Sequence, residues 1–150
     1  TGYRRALSVY GIPSDESLVA DGGLLEDVAE AAMGRLLELP NAPTAVFAGN
    51  DTQAIGAIRA ARKRGLAIPA DLAVIGFDDT AAAHQSVPPL TTMRYPDYRI
   101  ALEGARMLIR TILRPEIVPE SIVIPAELVI RESCGVRATS RSLPAPTAAG

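Results

Sequence analysis

One cysteine, one histidine and one lysine are all that this chain has of those residue types, and each scarcity removes a class of chemistry. A single cysteine, Cys134, excludes an internal disulfide and fits a reducing compartment. His84 has no serine, cysteine or carboxylate partner at a catalytic spacing, and it reads as a residue of a solvent-side loop. Lys63 sits mid-helix beside 14 arginines elsewhere, so the lysine that a receiver-type phosphorylation site needs near its sheet edge is missing. No phosphate-cradling glycine loop, zinc spacing or nucleophile elbow occurs, and neither cofactor, metal nor catalytic residue is expected. Positive charge is not in excess either. A net charge of −2 lacks the electrostatic footprint of phosphate binding, so a contact with DNA would have to be made by another segment. No apolar run reaches the ~18 residues of a membrane span. Thr1-Gly2-Tyr3-Arg4-Arg5 is no secretory leader, and the expectation is a cytoplasmic protein.

What is present is core material. With 48% apolar residues, 150 residues can bury one domain or a large part of one. Tyr3, Ala6, Leu7 and Tyr10 share a helical face that Gly11 ends. Ser17 to Ala20 reads as a short strand before the turn Asp21-Gly22-Gly23. A helix follows over Glu26 to Leu39, stopped by Pro40. Thr44 to Ala48 is a wholly apolar strand of the kind that parallel sheets bury on both faces. Asp51 is placed to cap a helix over Ala54 to Arg64, closed by Gly65, and Leu72 to Phe77 is the next strand. Strand, helix, strand in this order predicts a right-handed parallel crossover and an α/β fold. A long helix opens at Asp97 and ends at Pro115. Ser121 to Ile124 and Glu127 to Arg131 read as two short strands, and 135–150, rich in Ser, Pro, Ala and Thr, as a disordered tail.

Two strands stop at polar pairs, Asn50-Asp51 and Asp78-Asp79. Neighbouring parallel strands would hold Asn50 and Asp78 side by side at the carboxyl edge of the sheet, where open α/β proteins bind small molecules. An amide supplies donors and an acceptor and a carboxylate supplies acceptors, so the pair can grip a polyhydroxylated ligand. The alternative for these residues is local: an Asn50 helix cap and an Asp78 turn bond. Asp51 and Asp79 read as structural, the first as a cap, the second tying the loop from Thr80 to Val87. Pro88-Pro89 stiffens the approach to an extended segment at Leu90-Thr91-Thr92.

The phrases Pro43-Thr44-Ala45-Val46-Phe47-Ala48-Gly49-Asn50-Asp51, Val74-Ile75-Gly76-Phe77-Asp78-Asp79 and Pro88-Pro89-Leu90-Thr91-Thr92, in this order, resemble the effector-sensing domain of LacI/GalR transcriptional regulators. The resemblance implies a parallel sheet flanked by helices, one lobe of a periplasmic-binding-protein-like fold. Residues 1–134 would be a partial effector domain, with 95–114 visiting the other lobe, Met93 to Tyr95 acting as hinge, and the DNA-binding domain outside the chain. It implies Asn50 and Asp78 as effector contacts, with Tyr95 facing the cleft and Leu24 as an apolar wall. Tyr95 replaces a glutamine common in the family. Gly23 and Leu24 stand where an acidic and an aromatic residue are usual. The expected partners are a sugar-like effector, DNA through the missing domain, and a second copy, for which the helices Glu26 to Leu39 and Asp51 to Arg64 are candidate surfaces. A solute-binding protein of a sugar transporter shares the fold and is the alternative. A hydrolase on a doubly wound sheet would need a nucleophile that this chain lacks.

Overall fold

Among the described residues, five helices and four strands form where the hydrophobic pattern changes period. The computed structural model describes residues 2–118 and 120–136, so the expected disordered tail lies, from 137 onward, outside the described residues. Helix α1 (Gly2–Val9) is followed by a single 3-10 turn at Glu16–Leu18, then α2 (Glu26–Leu36), β1 (Ala45–Phe47), α3 (Asp51–Lys63) and β2 (Ala73–Phe77). Helix α4 (Ala81–Gln85), β3 (Thr91–Arg94), α5 (Asp97–Leu113) and β4 (Glu127–Val129) complete the order. The sheet runs β1-β2-β3-β4, with the first three strands parallel and β4 antiparallel to β3.

Helix α3 is the centre of the packing. Its face of Ala54, Ala57, Ile58, Ala60 and Ala61 is buried together with Leu72 and Val74 at β2, Leu90 before β3, Ala83 of α4 and Met33 of α2. Burying a leucine fully stabilises by about 1.5–3 kcal/mol, and Leu72 and Leu90 are both completely covered. The α3 chain turns back at Gly65, whose φ of +76° is open to glycine without steric cost. Helix α2 lies against α3 through small residues. A Cβ on Gly56 would stand 2.5 Å from the Glu26 carbonyl oxygen and 2.8 Å from Ala29 Cβ. Ion pairs of Arg59 with Glu26 and Glu30, and of Lys63 with Glu30, decorate the same seam. Solvent screening leaves exposed pairs of this kind weak, so the close backbone approach decides the packing.

Several elements depart from the sequence expectation. Ser17 to Ala20 is not a strand: Asp15 accepts hydrogen bonds from Ser17 N and Oγ, and this local cap winds the chain into the 3-10 turn. Helix α2 ends at Leu36, short of Leu39. Strand β1 is not buried on both faces; among the described residues the helices cover one face, and Phe47 on the other remains 55% exposed. In β2 the alternation is clean, with Val74 and Gly76 buried and Ala73, Ile75 and Phe77 half-buried. Ser121 to Ile124 forms no strand, whereas Glu127–Val129 does. Met93, expected at the start of the hinge, lies in β3, paired with Phe77 on one side and Leu128 on the other. His84 lies on helix α4 and not in a loop.

The long helix α5 is amphipathic yet buries nothing: Ile100, Leu108, Ile109 and Ile112 are all exposed. None of the described helices is long and apolar enough to cross a membrane.

Candidate functional site at the carboxyl edge of the sheet

Register brings the strand-end residues together. Ala45 pairs with Ala73 and Phe47 with Ile75, so β1 and β2 end at the same edge, with Asn50 three residues beyond β1 and Asp78 directly after β2. Phe77 pairs with Met93, and the Asp78 amide donates to the Met93 carbonyl at 2.9 Å, which sets Asp78 beside Arg94 and Tyr95. Asn50, Asp78 and Tyr95 therefore follow one another along one edge of β1, β2 and β3.

Each polar side chain there has a distinct state. Asn50 is the N-cap of α3, its Oδ1 accepting from Gln53 N at 2.7 Å. The cap expected at Asp51 is thus made by Asn50, because Asn50 has the extended backbone that a cap requires while Asp51 is already the first helical residue. Capping uses the Asn50 oxygen and leaves its amide hydrogens without a partner among the described residues. Asp51 instead points inward, 1% exposed, and accepts from Thr92 Oγ1 at 2.6 Å, Thr80 N at 2.7 Å and Thr80 Oγ1 at 3.0 Å. It fastens the start of α3 to β3 and to the loop before α4.

Asp78 is the contrast. Its carboxylate has no hydrogen bond from the described residues, and its φ is +118°. Partial burial, and then the charge of Asp51, push its pKa above the ordinary aspartate value. Asp79, with φ +59°, is tied down on all sides. Arg131 Nη2 and Arg94 Nε each reach its carboxylate at 2.5 Å, and His84 Nε2 lies at 3.2 Å. Burial alone would raise the Asp79 pKa, but the hydrogen bonds and charges of the two arginines outweigh it and hold the group below the usual carboxylate range. A carboxylate with a depressed folded pKa adds stability above its unfolded pKa near about 4, and that stability is lost as pH falls through the folded value. Asp79→Asn is accordingly expected to flatten the acid side of a stability-against-pH curve measured by urea unfolding. An acid limb as steep as the parent's would show that other carboxylates carry it.

The apolar wall is divided. Leu24 is 81% exposed, on a loop clipped to this end of the sheet by a residue that the sequence reading overlooked. Gln53 donates through Nε2 to the Gly23 carbonyl at 2.6 Å and accepts from Gly49 N at 2.9 Å through Oε1. The signal was available: Asn50 and Gln53 have the N-cap and N3 spacing of a capping box. Tyr95 stacks on Phe77 with ring centroids 5.7 Å apart and planes at 21°, so an aromatic pair borders Asp78. A hollow of about 360 Å³ lies along β1, lined by Tyr3, Leu18, Val46, Phe47 and Gln53 among others, and neither Asn50 nor Asp78 lines it. The edge carrying Asn50 and Asp78 is an open wall. No group of three or more His, Cys, Asp or Glu among the described residues is arranged to hold a metal.

Comparison with known proteins agrees in sequence and in shape. Residues 1–134 match the periplasmic binding protein-like domain. The HTH-type transcriptional regulator DegA of Bacillus subtilis is 42% identical over 132 residues, covering 88% of this chain and 39% of DegA. The structure of a transcriptional regulator CelR–cellobiose complex superposes with a TM-score of 0.82 at 37% identity, covering 88% of this chain and 40% of that one. A LacI-family regulator from Enterococcus faecium with bound ribose gives a TM-score of 0.75 at 31% identity, over 88% of this chain and 49% of that one. The chain thus spans about two fifths of the length of the curated relatives it matches. It belongs to the periplasmic binding protein-like domain family, as the effector-binding type of lobe found in LacI-family transcriptional regulators.

Proposed function

We propose that this chain is the effector-sensing portion of a cytoplasmic LacI-type regulator or repressor, in which Asn50, Asp78, Tyr95 and Leu24 form one wall of a sugar-binding cleft. One observation carries this reading: Asp78 is an acceptor-only group, partly desolvated, within reach of the Asp51 charge and without a hydrogen-bond donor among the described residues. A ligand hydroxyl offsets that cost, and Asn50 contributes donors from the adjacent strand end. The Phe77–Tyr95 pair supplies an aromatic surface for sugar CH groups, a role that Leu24 cannot fill. Residues 1–134 form part of the effector domain. Residues 95–114 cross to an opposing lobe, which would cover the bare apolar face of α5. Closure of the lobes on ligand, in a homodimer, then repositions DNA-binding domains carried outside this chain. The chemistry is binding without turnover. Names of the relatives favour a regulator over a transporter's solute-binding protein, and the sugars named for two of them, cellobiose and ribose, define the class to test.

The test is a thermal-shift screen of the full-length protein with cellobiose, ribose and related sugars, since a bound ligand raises stability by mass action. Asp78→Ala is expected to abolish the shift, because each hydrogen bond to a charged group contributes about 1.5–3 kcal/mol. Asp78→Asn should also raise the stability of the unliganded protein by about 0.5–1 kcal/mol, as relief of a strained functional position commonly does. The sign follows from the raised pKa. An acid whose folded pKa lies above its unfolded one favours folding at low pH, and loses that advantage as pH rises through the folded value. At neutral pH the ionised group is a burden until ligand arrives. A ligand shift undiminished in Asp78→Ala would refute the assignment.

A further inference from the structure

Asp78 owes its direction to a neighbour's partner. Its own carboxylate touches no donor among the described residues, so what aims it is its backbone. That backbone is unusual: two successive non-glycine residues stand at φ +118° and +59°, a region L-residues rarely occupy. Aspartate tolerates the left-handed well better than most, yet +118° lies outside that well. Something beyond local preference must hold the pair there.

Before Asp78 the chain is pinned by ordinary sheet pairing, through its amide to the Met93 carbonyl. After it the fixture is Asp79, whose side chain is 5% exposed and gripped by two arginines. Arg94, half-exposed at the end of β3, reaches one oxygen. Arg131, 52 residues further along and just beyond β4, reaches the other with a side chain only 13% exposed. Arg131 is itself immobilised, donating from Nη1 to the Leu90 carbonyl at 2.7 Å and from its backbone amide to Thr91 Oγ1 at 2.8 Å. The Asp79 amide makes only a long contact, 3.4 Å, to Thr92 Oγ1. Beyond the turn, Thr80 is held to Asp51 through its amide at 2.7 Å and its hydroxyl at 3.0 Å, so both ends of the turn are anchored and the side-chain knot fixes the residue between them.

We propose that Arg131, acting through Asp79, is the positioning residue that aims the Asp78 carboxylate at the ligand, although Arg131 makes no hydrogen bond to Asp78 itself. The inference rests on the reading of Asp78 as a ligand contact, and its own prediction is structural. With Arg131→Gln the Asp79 carboxylate keeps only Arg94 and His84, and the turn relaxes to negative φ, carrying the Asp78 side chain away from Asn50. Arg131→Lys retains the charge but not the guanidinium geometry and restores the turn in part.

Crystal structures of the unliganded full-length variants test this directly. Expected are a change in the sign of φ at Asp78 in Arg131→Gln, a smaller displacement in Arg131→Lys, and the least change in Arg94→Gln, whose arginine is already half in solvent. The carboxyl titration of Asp78, followed by carbon NMR in aspartate-labelled protein, should fall toward the ordinary aspartate value in Arg131→Gln as the group swings into water. A merely stabilising Arg131 would lower the melting temperature and leave both readouts at their parent values, and that result overturns the proposal. Should Arg131→Gln not fold, Asp79→Asn is read in the same way. The two ideas fail separately. A ligand shift that survives Asp78→Ala strikes the binding reading alone, while an Asp78 turn unmoved in Arg131→Gln strikes the positioning role alone.

Discussion

Replacing Asp51 with alanine is expected to cost the fold about 3 kcal/mol, measured as the fall in unfolding free energy by urea titration at unchanged m-value. The carboxylate is nearly inaccessible and accepts three hydrogen bonds, one from Thr92 Oγ1 and two from Thr80. Thr92 is fully buried, so its hydroxyl cannot turn to water when its acceptor goes. A negative charge on the first residue of α3 also lies at the positive end of the helix dipole, and that contribution disappears as well. Asp51→Asn should cost far less. Its amide oxygen can still take the two Thr80 donors, while the Thr92 hydroxyl can rotate to accept from the amide. The asparagine variant gives a second check, because removing the Asp51 charge should bring the Asp78 titration down toward its ordinary value. An alanine variant within about 1 kcal/mol of the parent would show that the three hydrogen bonds to Asp51 contribute little to the fold.

The second large effect is at the seam of α2 and α3. In an exposed helix, Gly→Ala stabilises by up to about 1 kcal/mol. At Gly56 the sign should reverse, with Gly56→Ala destabilising by about 2 kcal/mol, in the range of overpacked cores. The new Cβ would meet the Glu26 carbonyl oxygen at 2.5 Å, Ala29 Cβ at 2.8 Å and Glu30 N at 2.9 Å, and two of those three are backbone atoms that no rotamer change can move. The helices would have to separate, opening the core around Ala57 and Ala60. Gly104→Ala in α5 is the matched control, because a Cβ there meets nothing within 4 Å. Paired thermal melts should move in opposite directions. Two shifts of the same sign would mean that the close approach at Gly56 relaxes without cost.

Much of the site was legible because strand ends are written in local chemistry. Apolar runs that halt at Asn50 and Asp78 announce where β1 and β2 stop, and parallel pairing then makes the two residues neighbours. The roles of individual carboxylates were not legible in the same way. Asn50-Asp51 and Asp78-Asp79 look alike as dipeptides, yet each holds one residue toward the open edge and one engaged with the protein interior. Which is which depends on partners 29 to 52 residues distant, Thr80 and Thr92 for Asp51 and Arg131 for Asp79. Elements with weak local signals went the same way. Ser17 to Ala20 has strand-like residues but pairs with no described strand, and the Asp15 cap prevails. Helix α4, five residues long, is held by the Thr80 cap and by Ala83 packed into the core, and neither shows in a periodicity.

By itself, the order of residues determined the α/β class, the parallel crossover through α3 and the strand ends that carry Asn50 and Asp78. Those follow from hydrophobic period, from turn chemistry and from the handedness of parallel connections, all short-range properties of the chain. Only the tertiary structure decided that Asn50 caps, that Asp51 is sealed, and that Asp79 and Arg131 lock the turn beneath Asp78. Burial and charge pairing are set by groups that meet only when the sheet is assembled, and that assembly leaves Asp78 an acceptor without a donor among the described residues.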